Sequence, residues 1–517
     1  MSRPGRHHAG TRASGAAAGG RARRRRLRAR GDRRGVALVM VLGAITVLTV
    51  FLTELQEETS TELSAALADR DALRAEYYAK SAVNLSRMLI AAEPSVSAAI
   101  GPMLGMLGMK DVQVPVWKFT DMFLGPFNAQ LVEPGAEPPP APAGEGSAAG
   151  KNLGLTGGGR FELKIVDEDS KININRAADD LAIPDQLAVA GQLFGLMAPA
   201  QYNPLFEERD GDGQFSDRMT ICSALIDWAD PGDQLFNCDQ QSNGQGSTGA
   251  EDNIYQTLGL AYQRKNAPYD SLDELRLVRG MSDDFWATFI EPDPGDPDKR
   301  VLTVWGKRKQ GINVVSASPQ ALIALTCSPN MVDVATTPLC NDPNQMTAFL
   351  TVASLVQGMT GGLLFPSAGD YVAAMTQKEG QSMGSMLGQQ LKAMGVEPVK
   401  FKQSLKAMQS QKLIGNKTTF LSIYADGIVP GNKRETRVRV HAVLDLTGAE
   451  KLGSSTSTGT GTGGGTGAGT GTGGAGGSSG AVTGSSPGGS CAGVQPGDYE
   501  NCIRSNPAGT IVYYRIE

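Results

Sequence analysis

The sequence predicts an α+β protein with a membrane-crossing N-terminal helix and an all-helical segment inserted into an antiparallel sheet. Three observations carry that expectation. An uncharged run of 18 residues, 36–53, follows an arginine-rich head and leads without a break into a charged, helix-prone segment. Alternating apolar residues mark four strands, one near residue 160 and three after residue 418. Between the first strand and the rest, residues 178–300 read as helices and acidic turns.

The head comes first. Nine arginines lie between Arg21 and Arg34. The positive-inside rule keeps them in the cytoplasm and sends everything after Glu54 outward, giving a single-pass inner-membrane protein with a periplasmic C-terminal part. A secretory signal peptide would follow its apolar core with small residues and a cleavage site. Here Glu54-Leu-Gln-Glu-Glu58 follows instead. A cut at Gly35–Val36, ahead of the apolar run, keeps the helix in the mature protein, an arrangement that resembles a type IV prepilin leader. An ordinary single-pass anchor is the plain alternative, since 18 residues rise only about 27 Å. Of a twin-arginine signal, only the Arg33-Arg34 pair is present.

The boundaries follow in order: leader 1–35, then an N-terminal helix 36–92 whose 36–53 portion is transmembrane. Beyond the membrane, Leu55, Leu63, Leu67, Tyr77, Tyr78, Leu85 and Leu89 recur near helical spacing, which lays that half of the helix against a globular domain. Residues 93–177 open the α+β domain and contain a Pro, Ala and Gly-rich linker, 133–159. Strands are expected at Arg160–Val166, Thr419–Tyr424, Thr436–Leu446 and Ile511–Ile516. The helical insertion spans 178–300, and 301–517 returns to the α+β domain with a helical segment, 326–412. Residues 453–490, almost entirely Gly, Ser and Thr, form a flexible connection between the last two strands.

Six cysteines fall into three local couples, Cys222/Cys238, Cys327/Cys340 and Cys491/Cys502, and three disulfides suit an exported chain. Zinc is the competing reading, but no C-x-x-C pair occurs and two of the three histidines lie in the head. Formal charge is -5 although the head is strongly basic, so the exported part is distinctly acidic. A nucleic-acid-binding domain would show the opposite balance.

The series Lys171-Ile-Asn-Ile-Asn175, Ala224-Leu-Ile-Asp-Trp-Ala-Asp230, Ala250-Glu-Asp252 with Tyr255, Pro268-Tyr-Asp-Ser-Leu-Asp-Glu-Leu275 with Val278-Arg-Gly-Met281, and Ile312-Asn-Val-Val-Ser-Ala317 occurs in one order. With the leader and the terminal strands, that series resembles the large minor pseudopilin K (GspK) of type II secretion systems. The resemblance implies a pilin-like antiparallel sheet behind a pilin helix, with an inserted helical domain of the SAM or helix-hairpin-helix kind. It implies work at the tip of a short pseudopilus, priming assembly and aiding export of folded proteins across the outer membrane. Its partners would be the other minor pseudopilins of the tip, the prepilin peptidase, the inner-membrane assembly platform, and secreted proteins or the secretin. The chain departs from the family in its longer basic head, its longer region 326–412 and its Gly/Ser/Thr tract.

One residue fits the tip on physical grounds. Filament subunits of this kind carry a glutamate as fifth mature residue, which neutralises a neighbour's amino terminus. The fifth residue after Gly35 is Met40. A buried carboxylate without a cation costs several kcal/mol, and a tip subunit has no neighbour above it. An anchor helix that never polymerises would be apolar there too. The large insertion also suits an end better than a tightly wound filament.

Calcium is the expected cofactor. Glu208-Arg-Asp210-Gly-Asp212-Gly213 follows EF-hand spacing, with oxygen ligands at alternate positions and a turn glycine sixth. Position one is Glu, and position twelve is Met219 where the bidentate acid would stand, leaving Asp217 as its substitute. A second cluster, Asp227, Asp230, Asp233, Glu251 and Asp252, flanks the Cys222/Cys238 couple, and the family places calcium in acidic loops of this domain. A solvated acidic turn is the alternative at both places.

Tyr269–Met281 and Ile312–Leu325 resemble helix-hairpin-helix repeats. The hairpin here lacks its second glycine and carries Asp283 and Asp284 where a phosphate would lie, so the helices are expected to serve as packing. No enzyme is expected: His441, the single histidine beyond the head, sits in a strand with no evident nucleophile nearby. The opposed functional class is a membrane-anchored helix-hairpin-helix DNA receptor of a DNA-uptake system.

Overall fold

The computed structural model describes residues 33–106, 115–120, 159–178, 183–207, 209, 215–239, 247–250, 253–257, 259, 262–360, 362–431, 435–447, 449 and 508–517. The chain divides into two units, Met1–Ala68 and Asp69–Glu517. In the first, the described residues are helical. They begin helix α1, Arg33–Met106, whose apolar side chains from Val36 to Leu52 are exposed.

The second unit contains a four-stranded antiparallel sheet of β1 (Arg160–Asp167), β2 (Phe420–Pro430), β3 (Glu435–Asp445) and β4 (Thr510–Ile516), paired in that order. Asp167 pairs with Leu421 and Arg160 with Ile428, so β1 returns to β2 after the whole helical region. Sequence alternation finds all four strands. The second runs six residues past the expected Tyr424, because its far end is zipped to β3 up to the Pro430–Glu435 pair.

Alternation also decides what covers the sheet. Phe161 and Ile165 from β1, Leu421, Ile423 and Ala425 from β2, and Val440, Ala442 and Leu444 from β3 share a core with Ala75, Tyr78, Ala79, Ala82 and Val83 of α1. The helix side of this seam is alanine-rich for a steric reason. A Cβ at Gly427 would lie 1.8 Å from the Ala75 carbonyl oxygen, so helix and strand backbones touch there.

A second core runs from Ile172 to Ile414. Its principal helices are α2 (Ile183–Met197), α3 (Arg218–Ala229), α4 (Pro319–Thr326), α5 (Pro343–Thr360), α6 (Ala368–Met375) and α7 (Met383–Ala393). Serines 318, 367 and 382 cap α4, α6 and α7 through their side-chain oxygens. Residues 326–412 and 178–300 contribute to this one core. Two disulfides close local loops, Cys222–Cys238 and Cys327–Cys340, with sequence separations of 16 and 13. Loops of that length gain about 3 kcal/mol each in the chain-entropy account. Cys491 and Cys502 lie outside the described residues.

Candidate functional site

Two features bear on function: the apolar start of α1, and the acidic loops of the helical region. Among the described residues one helix is long and apolar enough to cross a membrane, with a mean hydropathy of 2.6 in its best window. Its polar side chains are satisfied from within. The hydroxyls of Thr46, Thr49 and Thr53 donate to the carbonyls of Gly43, Thr46 and Val50 at 2.9, 2.9 and 2.8 Å. Such back-bonding is what a helix in hydrocarbon requires, since no water is there to serve them. Gly35 lies inside the helix that opens at Arg33, and Met40 is 70% exposed.

The acidic loops are partly described. Glu208, Asp210, Asp212, Glu251 and Asp252 fall outside the described residues. Arg209, the second residue of the first loop, bridges to Phe215 further along it, with its guanidinium 5.1 Å from that ring. Asp217 caps α3, accepting from the Thr220 amide at 2.7 Å.

The second cluster separates by partner. Asp227 is buried and accepts from the Phe236 amide at 2.8 Å. Burial, with the charge of Asp230 adding to it, pushes its carboxyl up to about 8. Asp230 accepts from the Gly232 amide at 2.8 Å and from Gln186 at 3.0 Å. Asp233 pairs with Arg264 at 3.0 Å. Asp217 and Asp227 do share a cavity of about 250 Å³, beside Trp228, Tyr255 and Arg279. Among the described residues no three His, Cys, Asp or Glu side chains form a metal-ready group.

The most connected acids are ones that sequence reasoning left out. At the end of β1, Asp167 accepts from Asn313 at 2.8 Å, Thr418 at 2.6 Å and also Ser316. Two residues on, Asp169 accepts from the Thr419 hydroxyl and the Phe420 amide, both at 2.9 Å. Between them Glu168 pairs with buried Lys171 at 3.2 Å and takes the Thr303 hydroxyl at 2.5 Å. Burial raises the Asp167 carboxyl, and burial together with Asp167's charge raises Asp169 to about 7. At Glu168 burial also pushes upward, but the Lys171 ammonium and the hydrogen bonds outweigh it and hold the carboxyl below its usual value. Lys171, which opens the Lys171–Asn175 segment, was the nearest available signal.

The 269–290 stretch is packed rather than open. Leu272–Leu277 is a 3₁₀ turn, Gly280 adopts φ +82°, and Asp283–Ile290 continues as a short helix. A Cβ on Gly280 would meet Ile221 at 2.7 Å. Arg276 lies 3.8 Å over the Trp286 ring. Of Ile312–Leu325, the first two residues form a short parallel strand with Ile414–Gly415, and α4 supplies the helix.

Residues 170–290 match the family model for type II secretion system protein K. No curated protein sequence matches the chain. Among solved structures, similarity is found to the GspK-GspI-GspJ complex of the enterotoxigenic Escherichia coli type 2 secretion system. Identity is 14% and the TM-score 0.28, covering 56% of this chain and 75% of that one. The matched segment holds the Asp227–Asp233 turn, the Cys222–Cys238 staple and the 269–281 hairpin, and over these residues the chain is similar to type II secretion system protein K.

Proposed function

We propose that the chain stands at the tip of a short periplasmic pseudopilus, where it starts assembly with other minor pseudopilins and so aids export of folded proteins. The observation that carries this is the division of α1. Residues 36–52 present apolar side chains on all sides, whereas residues 75–90 are fixed to the sheet. The first stretch suits a membrane and later a filament core, and the second holds the helix to its own domain. The arginine head would stay in the cytoplasm, with prepilin peptidase cutting after Gly35. Met40 leaves no carboxylate at the fifth position, which suits a subunit with no neighbour above it.

Calcium belongs to the same proposal. The cavity shared by Asp217 and Asp227, the raised carboxyl of Asp227, and Glu251 and Asp252 nearby in sequence support a hard divalent cation in these loops. The 3₁₀ turn, the Gly280 bend and the helix after it support a SAM or helix-hairpin-helix plan used for packing.

The test is co-expression with the small minor pseudopilins and gold labelling of the resulting filaments. Label confined to one end, and a complex that co-purifies through α1, are the expected results. Label along the length overturns the tip placement. Salt-resistant binding of duplex DNA would favour an uptake receptor instead.

A further inference from the structure

The sheet face turned away from α1 meets the helical region across a cavity of about 440 Å³. Five rings line it: Trp286 and Trp305 from the helical region, Tyr424 from β2, His441 from β3 and Tyr513 from β4. Four of them form an ordered series. Tyr424 and His441 stack with centroids 4.2 Å apart, Tyr513 meets His441 edge-on at 5.1 Å, and Trp305 packs on Tyr513 at 4.8 Å.

Two polar atoms in this wall lack a hydrogen-bond partner among the described residues. One is Nε2 of His441, a residue only 9% exposed; the other is Nε of Arg300, whose Nη atoms are held by the Tyr424 hydroxyl and Glu291. A buried polar atom left unpaired is costly, so a bound group that meets it gains affinity. Burial holds the imidazole down at about 4, more strongly than the nearby Glu168 charge raises it, so the ring is neutral in the periplasmic pH range.

Charge narrows the ligand. Arg300, Arg439 and Arg515 line the cavity together with Glu168, Asp273, Glu291 and Glu517. The arginines are already paired, with Glu291, Asp426 and Asp273 respectively. No excess of positive charge is left to draw in a phosphate or an acidic peptide. What fits is a neutral molecule with flat apolar faces for the rings and hydroxyl or amide groups for His441 and Arg300. A pyranose ring combines the two, its C–H faces lying on aromatics while its edge hydrogen-bonds to planar side chains.

We propose that this cavity binds a neutral glycan, a short run of N-acetylated amino-sugar rings. Its volume lies in the roughly 300–1,000 Å³ range of small-molecule sites. This reading is independent of tip placement and calcium.

The test uses the full chain in an amine-oxide detergent, because sugar-headed detergents would compete. Titration with the N-acetylglucosamine trimer should quench tryptophan fluorescence saturably, with Kd of about 0.1–1 mM. Maltotriose, which lacks the amides, should bind at least threefold more weakly. Trp305→Ala should weaken binding at least tenfold. His441→Phe keeps a stacking ring but loses the nitrogen; it should weaken binding at least threefold with an unchanged melting temperature. Should Trp305→Ala fail to fold, His441→Phe and a trimer-induced ¹⁵N shift of the His441 imidazole carry the test. The proposal is overturned by no saturable signal up to about 10 mM, by unchanged affinity in His441→Phe, or by preference for a neutral peptide over the trimer.

Discussion

Two stretches of one helix bury apolar residues by opposite rules. Residues 36–52 carry large side chains all round and bury none of them within the chain, while residues 75–90 bury one stripe that mixes Tyr78, Val83, Leu89 and Ile90 with the small residues Ala75, Ala79 and Ala82. The first pattern takes its stabilisation from whatever surrounds it and tolerates many apolar sequences. The second depends on fit, because Gly427 lets two backbones touch. Composition therefore matters in the first stretch, and individual atoms in the second.

Charge insertion should separate the two most strongly. Ala79→Glu places a carboxylate in the helix–sheet seam and is expected to cost more than 4 kcal/mol, unfolding the sheet unit while the protein stays in the membrane. Val47→Arg should do the reverse. An arginine at the centre of a membrane helix costs about 2.5–3.5 kcal/mol, so carbonate extraction should release the variant while the sheet unit keeps its cooperative melt. If both substitutions gave the same phenotype, the two-rule description would be wrong.

The proposed processing concerns the first stretch alone. Gly35→Val should leave uncut, membrane-bound protein, whereas the natural chain should yield Val36 on N-terminal sequencing. A start beyond Leu52 would mean the helix is discarded. Met40→Glu should reduce tip assembly without creating a polymer, scored by filament labelling; filaments built from this subunit alone would contradict it.

The smallest effects concern the acids of the folded unit. Asp227, raised to about 8 by burial, holds a proton in the folded state that it has lost in the unfolded state from pH 4 upward. Its contribution to stability therefore falls as pH rises from about 4 to 8. In chelator, Asp227→Asn should raise the melting temperature more at pH 8 than at pH 5, by about 2–4 °C per kcal/mol. Added calcium should stabilise the natural chain more than this variant. Equal responses of the two would count against a cation at Asp227. His441 slopes the other way, since its depressed value favours folding as pH rises from about 4 to 6.5.

How much was legible follows from how local each signal is. The four strands and α1 carry their pattern in their own residues, and the Cys222–Cys238 and Cys327–Cys340 couples are short enough to pair by proximity. Asp167, Glu168 and Asp169 carry no such mark. Three acids at a strand end read as a solvated turn, and their burial is made by Asn313, Ser316, Thr418 and Thr419, roughly 150–250 positions away. Asp217 shows the same ambiguity on a small scale, where one carboxylate can cap a helix or hold an ion, and the loop spacing does not choose.

That acid cluster has a consequence for how the chain folds. About 250 residues separate β1 from the strand it must pair with, and closing such a loop directly is entropically costly and slow. Asp167 and Asp169, at the near end of the intervening region, grip its middle through Asn313 and Ser316 and its far end through Thr418 to Phe420. Once the helical region has its own core, its first and last residues lie side by side, and the end of β1 meets the start of β2 at the Asp167–Leu421 pair. β1 is synthesised long before β2, and the core of the helical region is the template that brings the two strands together.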